Sequence, residues 1–367
     1  MASELVVPVV KIQNVRPHPN AEKLELSDVL GYQMCVPKGK YKGGELVVYF
    51  PADTLIPSVW ADKFGVRNYL KGADKDRVGR VKLRGEPSFG LVVDIPECPI
   101  PIAEGDNLAK FYAARKYEPP MRVGCGDAAP HDEKIDPYFL KFTDVQNGRI
   151  FTDIFTEGEE VIFTEKIHGT SCRVGVISGV PVAGSMEVRR KRPVRPLAGD
   201  PIGAITVDCE LDSDEAKRST YWFPFSIQGV YALLNDMNKH ESAVLYGEVY
   251  GGSIQSLDYG IPKGKGLGFR AFGLRVNGKF LDWDKFTEIC QRHGVEMVPV
   301  LWRGPYSMAK AKELADGKSE MAGHIREGCV AYPIMERDNP KIGRVILKFI
   351  GTEYELSKHP DEDTKDV

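Results

Sequence analysis

The chain is poor in everything that would mark a membrane protein, a disulfide scaffold or a zinc module. No apolar run approaches the ~18 to 20 residues needed to span a bilayer. Met1-Ala2-Ser3-Glu4-Leu5 has no basic region ahead of an apolar core, so no secretory leader is expected. The seven cysteines (Cys35, Cys98, Cys125, Cys172, Cys209, Cys290 and Cys329) are scattered, odd in number and without a CxxC pair. Reduced thiols in an intracellular protein follow, cytoplasmic by default, with the nucleus left open. The net charge is only −3, so no global field draws the chain to nucleic acid, and any such surface must be a local patch. No internal repeat is evident. The acidic end, Asp361-Glu362-Asp363, reads as a solvated terminus.

The 367 residues suffice for two domains with separate cores. Residues 5 to about 112 carry short β-rich runs such as Val6 to Ile12, Leu46 to Phe50 and Gly90 to Val93. Turns such as Pro37-Lys38-Gly39 separate them, which suggests a small barrel. The expected division is a barrel domain over 1–113, a Pro/Gly-rich linker over 114–148 and a second domain over 149–367. In the second domain strand-like runs alternate with a few helices. Strands are expected at Glu160–Lys166, Val244–Gly251, Gly268–Val276, Cys329–Tyr332 and Gly343–Ile350. Helices are expected at Asp284–His293 and Met308–Ala315, each stopped by a glycine.

The richest stretch is Thr164-Glu165-Lys166-Ile167-His168-Gly169-Thr170. It sets a lysine at the end of an apolar strand, ahead of a glycine turn. A lysine amine attacks only when neutral, so its pKa must be lowered by burial or a nearby cation. Gly169 would let backbone come close to a phosphate or sugar. The same pattern also suits a plain strand and turn with a surface lysine. Further on, Glu248 lies between aromatics in Tyr246-Gly247-Glu248-Val249-Tyr250, where it could accept from a ribose hydroxyl or simply face solvent. Phe272 suits stacking on a base, and an alternating strand equally places an aromatic in a core. Glu327-Gly328-Cys329-Val330 pairs a carboxylate suited to a hydrated magnesium ion with an apolar residue suited to a base. Lys348, in Val345-Ile346-Leu347-Lys348-Phe349-Ile350, needs a partner, and a phosphate is a natural one.

This series in this order resembles the covalent nucleotidyltransferase superfamily of ligases and RNA capping enzymes, and most closely its phage-type RNA ligase 2 group. The resemblance spans about residues 140 to 352. It implies that Lys166 is the adenylated nucleophile, that Glu165 lies at the adenine, and that His168 and Gly169 belong to the same motif. It implies Arg189 or Arg190 as the phosphate- or substrate-binding arginine, Glu248 at the ribose and Phe272 on the base. It further implies Glu327 supporting the metal, Val330 packing on adenine and Lys348 on the AMP phosphate. Two departures stand out. The group's second lysine of the last motif is replaced by Ile350, and the chain ends soon after Lys348, without the barrel that follows in DNA ligases and capping enzymes.

Arg16-Pro17-His18-Pro19-Asn20-Ala21-Glu22-Lys23-Leu24-Glu25 looks like the opening of tRNA-binding OB-fold domains, and Gly43 to Pro51 continues the likeness. An OB-fold ahead of a ligase core is the arrangement of the Deinococcus-type RNA ligases. The implied fold class is α+β: an OB-fold barrel, then a nucleotidyltransferase domain of ATP-grasp-like antiparallel sheets with flanking helices. The implied function is ATP-dependent sealing of 3′-hydroxyl/5′-phosphate nicks whose 3′ strand is RNA, with ATP and Mg2+ or Mn2+ as cofactors. A capping-type guanylyltransferase, a non-catalytic RNA-binding protein and a tRNA-binding accessory protein are the other readings. Two basic clusters suit nicked duplex RNA or an RNA–DNA hybrid: Lys71, Lys75, Arg77, Arg80, Lys82 and Arg84, then Arg189, Arg190, Lys191, Arg192 and Arg195. Solvated loops, or for the second a nuclear-import tag, would look the same. Trp60, Phe64 and Tyr69 flank the first cluster as stacking or packing residues. A monomer with no membrane partner is expected.

Overall fold

The structure, a computed structural model, describes residues 5–117, 137–186, 188–196 and 206–357. The middle of the expected linker and the acidic end therefore lie outside the described residues, as does the side chain of Arg195. The chain divides into two compact units. One comprises residues 1–122, 147–152 and 355–367; the other comprises 123–146 and 153–354.

In the first unit Leu46–Phe50 pairs antiparallel with Val9–Lys11 on one side and Leu91–Asp94 on the other. Its apolar run is continuous because both faces are buried. Val48 and Phe50 enter one core with Val9 and Tyr112, and Val47 and Tyr49 enter another with Met34 and Phe89. Gln13–Pro17, Leu24–Val29 and Tyr32–Pro37 form a second antiparallel sheet. Its hairpin turns at Leu30 (φ 53°) and Gly31 (φ 78°), and the hairpin Arg80–Leu83/Glu86–Phe89 turns at Arg84 (φ 50°) and Gly85 (φ 88°). Two-residue hairpins take positive φ at both positions, which is why glycine holds the second. A short helix, Ser58–Lys63, brings Trp60 beside Phe64, Phe111 and Tyr112.

The second unit is built on two antiparallel sheets. One runs Leu347–Ile350, Gly328–Pro333, Glu160–Glu165, Val300–Pro305. The other has six strands: Arg189–Arg190, Val180–Ser185, Thr170–Ile177, Ser242–Tyr250, Gly268–Val276 and Lys279–Phe280. One continuous core joins them, taking Ile162, Val330 and Tyr332 from the first sheet, Ile346 just before its strand Leu347–Ile350, and Cys172, Val174, Val249 and Leu274 from the second. The helices Gln228–Asp236 and Trp283–His293 pack into the same core through Val230, Leu233, Phe286 and Ile289. Helix Met308–Ala315 covers the other face of the first sheet, where the Cys329 thiol donates to Ala311 O at 3.6 Å.

Arg173, 2% exposed, is the largest fully buried side chain among the described residues. It donates from Nε to Ser185 O at 2.9 Å and also to Phe139 O, and it lies over the Phe139 ring. A buried guanidinium is tolerable here because carbonyl oxygens meet its donors.

The expected elements are mostly present, with changes. Trp283–His293 starts one residue early and stops at Gly294, whose φ of 67° is the left-handed cap glycine favours. Met308–Ala315 ends at an extended Asp316, not directly at a glycine. The strand expected over Gly343–Ile350 breaks into Gly343–Arg344 and Leu347–Ile350. At the break, Arg344 makes a paired contact to Glu336 at 2.5 and 2.7 Å. No described helix is long and apolar enough to cross a membrane.

Candidate active site

The strand Glu160–Glu165 ends with Lys166, whose backbone N–H donates to Gly328 O at 2.9 Å. That bond carries the pairing one residue past the strand and brings Lys166 next to Glu327. Lys166 Nζ lies 2.9 Å from Glu327 Oε1, and the two side chains are 26% and 12% exposed. His168 Nδ1 lies 3.3 Å from Glu327 Oε2. The second sheet contributes Glu248, which pairs across its ladder with Ser171. Glu248 is electrostatically coupled to Lys166 and accepts from the backbone N–H of Gly169. The nucleophile candidate therefore sits between two carboxylates that come from different sheets.

Gly169 explains how the strand carrying Glu248 comes so close to the start of Thr170–Ile177 within the six-stranded sheet. A Cβ at this position would lie 2.3 Å from Val249 O and 2.9 Å from Glu248 Cγ. The missing side chain admits the strand that carries Glu248. Gly328 does the same in the first sheet, where a Cβ would lie 2.1 Å from Phe349 O. Thr164, Val330 and Lys348 are direct cross-strand partners, so they share one face. With strands ~4.8 Å apart, Lys348 Cα stands roughly 10 Å from Thr164 Cα along that row. Ile350 pairs with Gly328 two rungs on, which returns it to the same face.

The electrostatics correct one expectation. Burial pulls the Lys166 pKa down, but Glu327 and Glu248 outweigh it, and the amine ends above its ordinary value. The protein by itself holds an ammonium there, so an added positive charge is needed to free the amine. Burial opposes charge on Glu327 too, yet Lys166 and His168 beside it bring the carboxyl down to about 2. Glu248 goes the opposite way: burial dominates and raises it to about 8, against the pull of Lys166.

The remaining expected residues are placed as follows. Alternation turns Glu165 to the Cys329 side of its sheet, where Oε2 accepts from Glu320 N–H at 2.8 Å and the buried Oε1 has no hydrogen bond. Phe272 packs edge-on against Phe142 at 4.7 Å, in an aromatic group with Tyr246 and Phe280. Its stacking role rests on the family resemblance. Arg189 and Arg190 pair with Gly184 and Ala183 at the edge of the six-stranded sheet. Arg190 lies over the Tyr221 ring, whose hydroxyl is 3.5 Å from Thr170 Oγ1, so this cluster does approach the lysine segment. The buried Nε atoms of Arg190 and Arg192 have no hydrogen-bond partner.

In the first unit Lys71 and Lys82 are half-buried, and Arg84 is exposed at a hairpin tip. Arg77 stacks on Tyr117. Arg80 pairs with the buried Glu355 at 2.9 Å, so that charge serves the fold of its own unit.

Two tyrosines at the site were not anticipated. The Tyr259 hydroxyl oxygen accepts from His168 N–H at 2.7 Å, and the Tyr354 hydroxyl lies 3.2 Å from His168 Nδ1. Tyr259 carries only the signal of an aromatic inside a glycine-rich loop, and Tyr354 that of an aromatic just past Lys348.

Among the described residues no three His, Cys, Asp or Glu side chains are close enough to hold a metal ion together. Glu327 Oε2 is buried without a hydrogen bond, an acceptor suited to a cation or its bound water. A divalent ion held by so few protein groups would keep most of its water, the habit of magnesium.

Two antiparallel sheets sharing one core, with Lys166 at 2.9 Å from Glu327 of one and coupled to Glu248 of the other, fit an enzyme of the ligase class. The RNA ligase profile matches residues 159–350, and the chain belongs to the RNA ligase family. An OB-fold domain profile matches residues 6–95, so the architecture is an OB-fold domain followed by a ligase domain of antiparallel sheets with helices. No curated protein sequence is significantly similar to the chain. Among solved structures, the Naegleria gruberi RNA ligase with pyrophosphate superposes with a TM-score of 0.72 at 20% identity, covering 98% of this chain and 99% of that one. A variant of the same ligase with ATP and manganese gives 0.71 at 20% identity, covering 98% and 100%. Another variant, with AMP and manganese, gives 0.71 at 20% identity, covering 97% and 99%.

Proposed function

We propose that this RNA ligase is ATP-dependent, acts through Lys166, and seals 3′-hydroxyl/5′-phosphate nicks in duplexes whose 3′ strand is RNA. The observation that carries the reading is Lys166 held at 2.9 Å from Glu327 and coupled to Glu248 across the cleft. In the first step the neutral Lys166 amine attacks the α-phosphorus of ATP, the bond to the β-phosphate breaks, pyrophosphate leaves and lysyl-AMP remains. AMP then passes to a 5′-phosphate, and attack by the 3′-hydroxyl releases AMP and joins the strands. A magnesium or manganese ion would offset phosphate charge and the charge of Glu327. Glu327 would hold that ion through Oε2, and Lys166, released from Glu327, loses its proton more easily. Lys348, on the same face as Val330, suits the AMP phosphate. Arg189 and Arg190 suit the departing pyrophosphate or the substrate end. Val330 and Phe272 would flank the base, and the unbonded Glu165 oxygen is an acceptor suited to an amine such as that of adenine.

The Naegleria structures with ATP, AMP and manganese support this choice of nucleotide and metal. The order of an OB-fold domain before the ligase core supports the Deinococcus-type arrangement and its preference for RNA-ended nicks. The domain limits we propose are 1–113 and 149–367, joined by 114–148, in a monomer. Lys71, Arg77, Lys82 and Arg84, with Arg190 and Arg192, would contact phosphates of the duplex. The test is label transfer from α-labelled ATP with metal. Label should stay on denatured protein and be absent from Lys166→Ala. Transfer from GTP and not ATP would instead establish the capping-type reading, and no transfer from either would leave an RNA-binding role.

A further inference from the structure

The cluster around Lys166 contains a contact that the ligase reading does not use, although the inference below rests on that reading. Just past Lys348 the chain turns sharply. Gly351 N–H donates to Glu327 O at 3.0 Å. A Cβ on Gly351 would lie 2.5 Å from Ala315 O, so only glycine allows this approach. Glu353 N–H then donates to Asp316 Oδ1 at 2.9 Å, fixing the start of helix Thr352–Ser357. These contacts bury Tyr354 to 4% exposure with its hydroxyl 3.2 Å from His168 Nδ1 and its ring edge-on to the imidazole. Tyr259 holds the backbone of the same histidine at 2.7 Å. His168 is therefore pinned at both ends.

His168 Nδ1 has a choice of partner. It lies 3.2 Å from the Tyr354 hydroxyl and 3.3 Å from Glu327 Oε2. Only the tyrosine contact has hydrogen-bond alignment; Glu327 Oε2, though buried, has none. An imidazole nitrogen offers one in-plane direction, so engagement by one oxygen is lost to the other.

We propose that Tyr354 is a positioning residue: its hydroxyl engages His168 Nδ1 and thereby keeps Glu327 Oε2 open to a divalent cation or its bound water. Without that hydroxyl, a small rotation of the imidazole aligns Nδ1 on Glu327. Lys166 would then occupy Oε1 and His168 Oε2, and the carboxylate would have less to offer a cation. Loss of such an outer partner lowers metal affinity by about tenfold or more.

The test uses the full chain with Tyr354→Phe, His168→Ala and the double variant. Single-turnover transfer from α-labelled ATP is followed across a series of Mg2+ concentrations. Nitrogen spectra are recorded on nucleotide-free, metal-free protein labelled at histidine, with the His168 signals assigned by their loss in His168→Ala. Tyr354→Phe should raise the half-saturating Mg2+ about tenfold and shift the His168 Nδ1 resonance, with the melting temperature retained because the ring still fills its site. In the His168→Ala background the tyrosine change should add nothing. An unaltered Mg2+ requirement, an unmoved resonance or an additive double variant would overturn the proposal. Wild-type protein that takes no label from ATP would instead sink the ligase reading, and the histidine resonance, read without ATP or metal, decides the Tyr354 contact in either case.

Discussion

Glu327→Gln separates the two tasks the site asks of one carboxylate. The substitution keeps shape and an acceptor for Lys166 while removing the charge 2.9 Å from Nζ. At an effective dielectric constant of ~20, a unit pair at that distance is worth about 6 kcal/mol. It is an upper bound, because the Lys166 side chain is 26% exposed and Glu248 still pulls the other way. The expected outcome is a Lys166 pKa lower than in the wild type, since burial then acts with less opposition. The assay is competitive acetylation of Lys166 across pH, read by mass spectrometry of its peptide. Transfer of AMP from ATP should nevertheless fall by about a hundredfold, because the cation loses its ligand. A Lys166 midpoint unchanged in Glu327→Gln would refute the claim that this carboxylate holds the amine charged.

Other perturbations read separate parts of the structure. Glu248 has a folded pKa of about 8, above the ordinary carboxyl value, so its contribution to stability is complete at low pH and is lost as pH rises through about 8. Urea denaturation should show Glu248→Gln losing less stability than wild type between about pH 5 and pH 8, by on the order of 3 kcal/mol. Gly169→Ala puts a methyl 2.3 Å from Val249 O and should abolish lysyl-AMP formation while costing about 2 kcal/mol or more of stability. A folded, active Gly169→Ala would show that Thr170–Ile177 and Ser242–Tyr250 tolerate separation at this end. Arg173→Leu leaves Phe139 O and Ser185 O without their donor and should cost about 3 kcal/mol in denaturant unfolding. Arg80→Ala removes the 2.9 Å cationic partner of the buried Glu355 and should lower Tm, whereas Arg84→Ala, at an exposed tip, should reduce the salt slope of RNA binding by about one.

What was legible in the sequence is what short-range pattern encodes. The apolar run before Lys166, the β-rich strand around Glu248 and the spacing of Trp283, Phe286, Ile289 and Cys290 before Gly294 each announce their element within about ten residues. Helix Gln228–Asp236 went unannounced because Ile227 supplies no cap and Gly229 stands inside its first turn. That glycine is there for packing, since a Cβ would lie 2.6 Å from His293 O. The same limit explains the site. Gly169 reads locally as room for a phosphate, yet the space it leaves is taken by the strand of Glu248. Arg80 reads as a phosphate contact, yet its partner Glu355 lies 275 positions away.

The charge state of Lys166 shows the consequence for mechanism. Strand burial alone argues for a neutral amine, whereas Glu327, joined by Glu248 once that group ionises near pH 8, argues for an ammonium and prevails. On the proposed mechanism, a Lys166 held charged until a cation answers Glu327 would not react before nucleotide and metal have arrived. The residues that set the resting state, Glu248 and Glu327, are therefore as much part of the chemistry as the lysine, and they become so only through the pairing of distant strands.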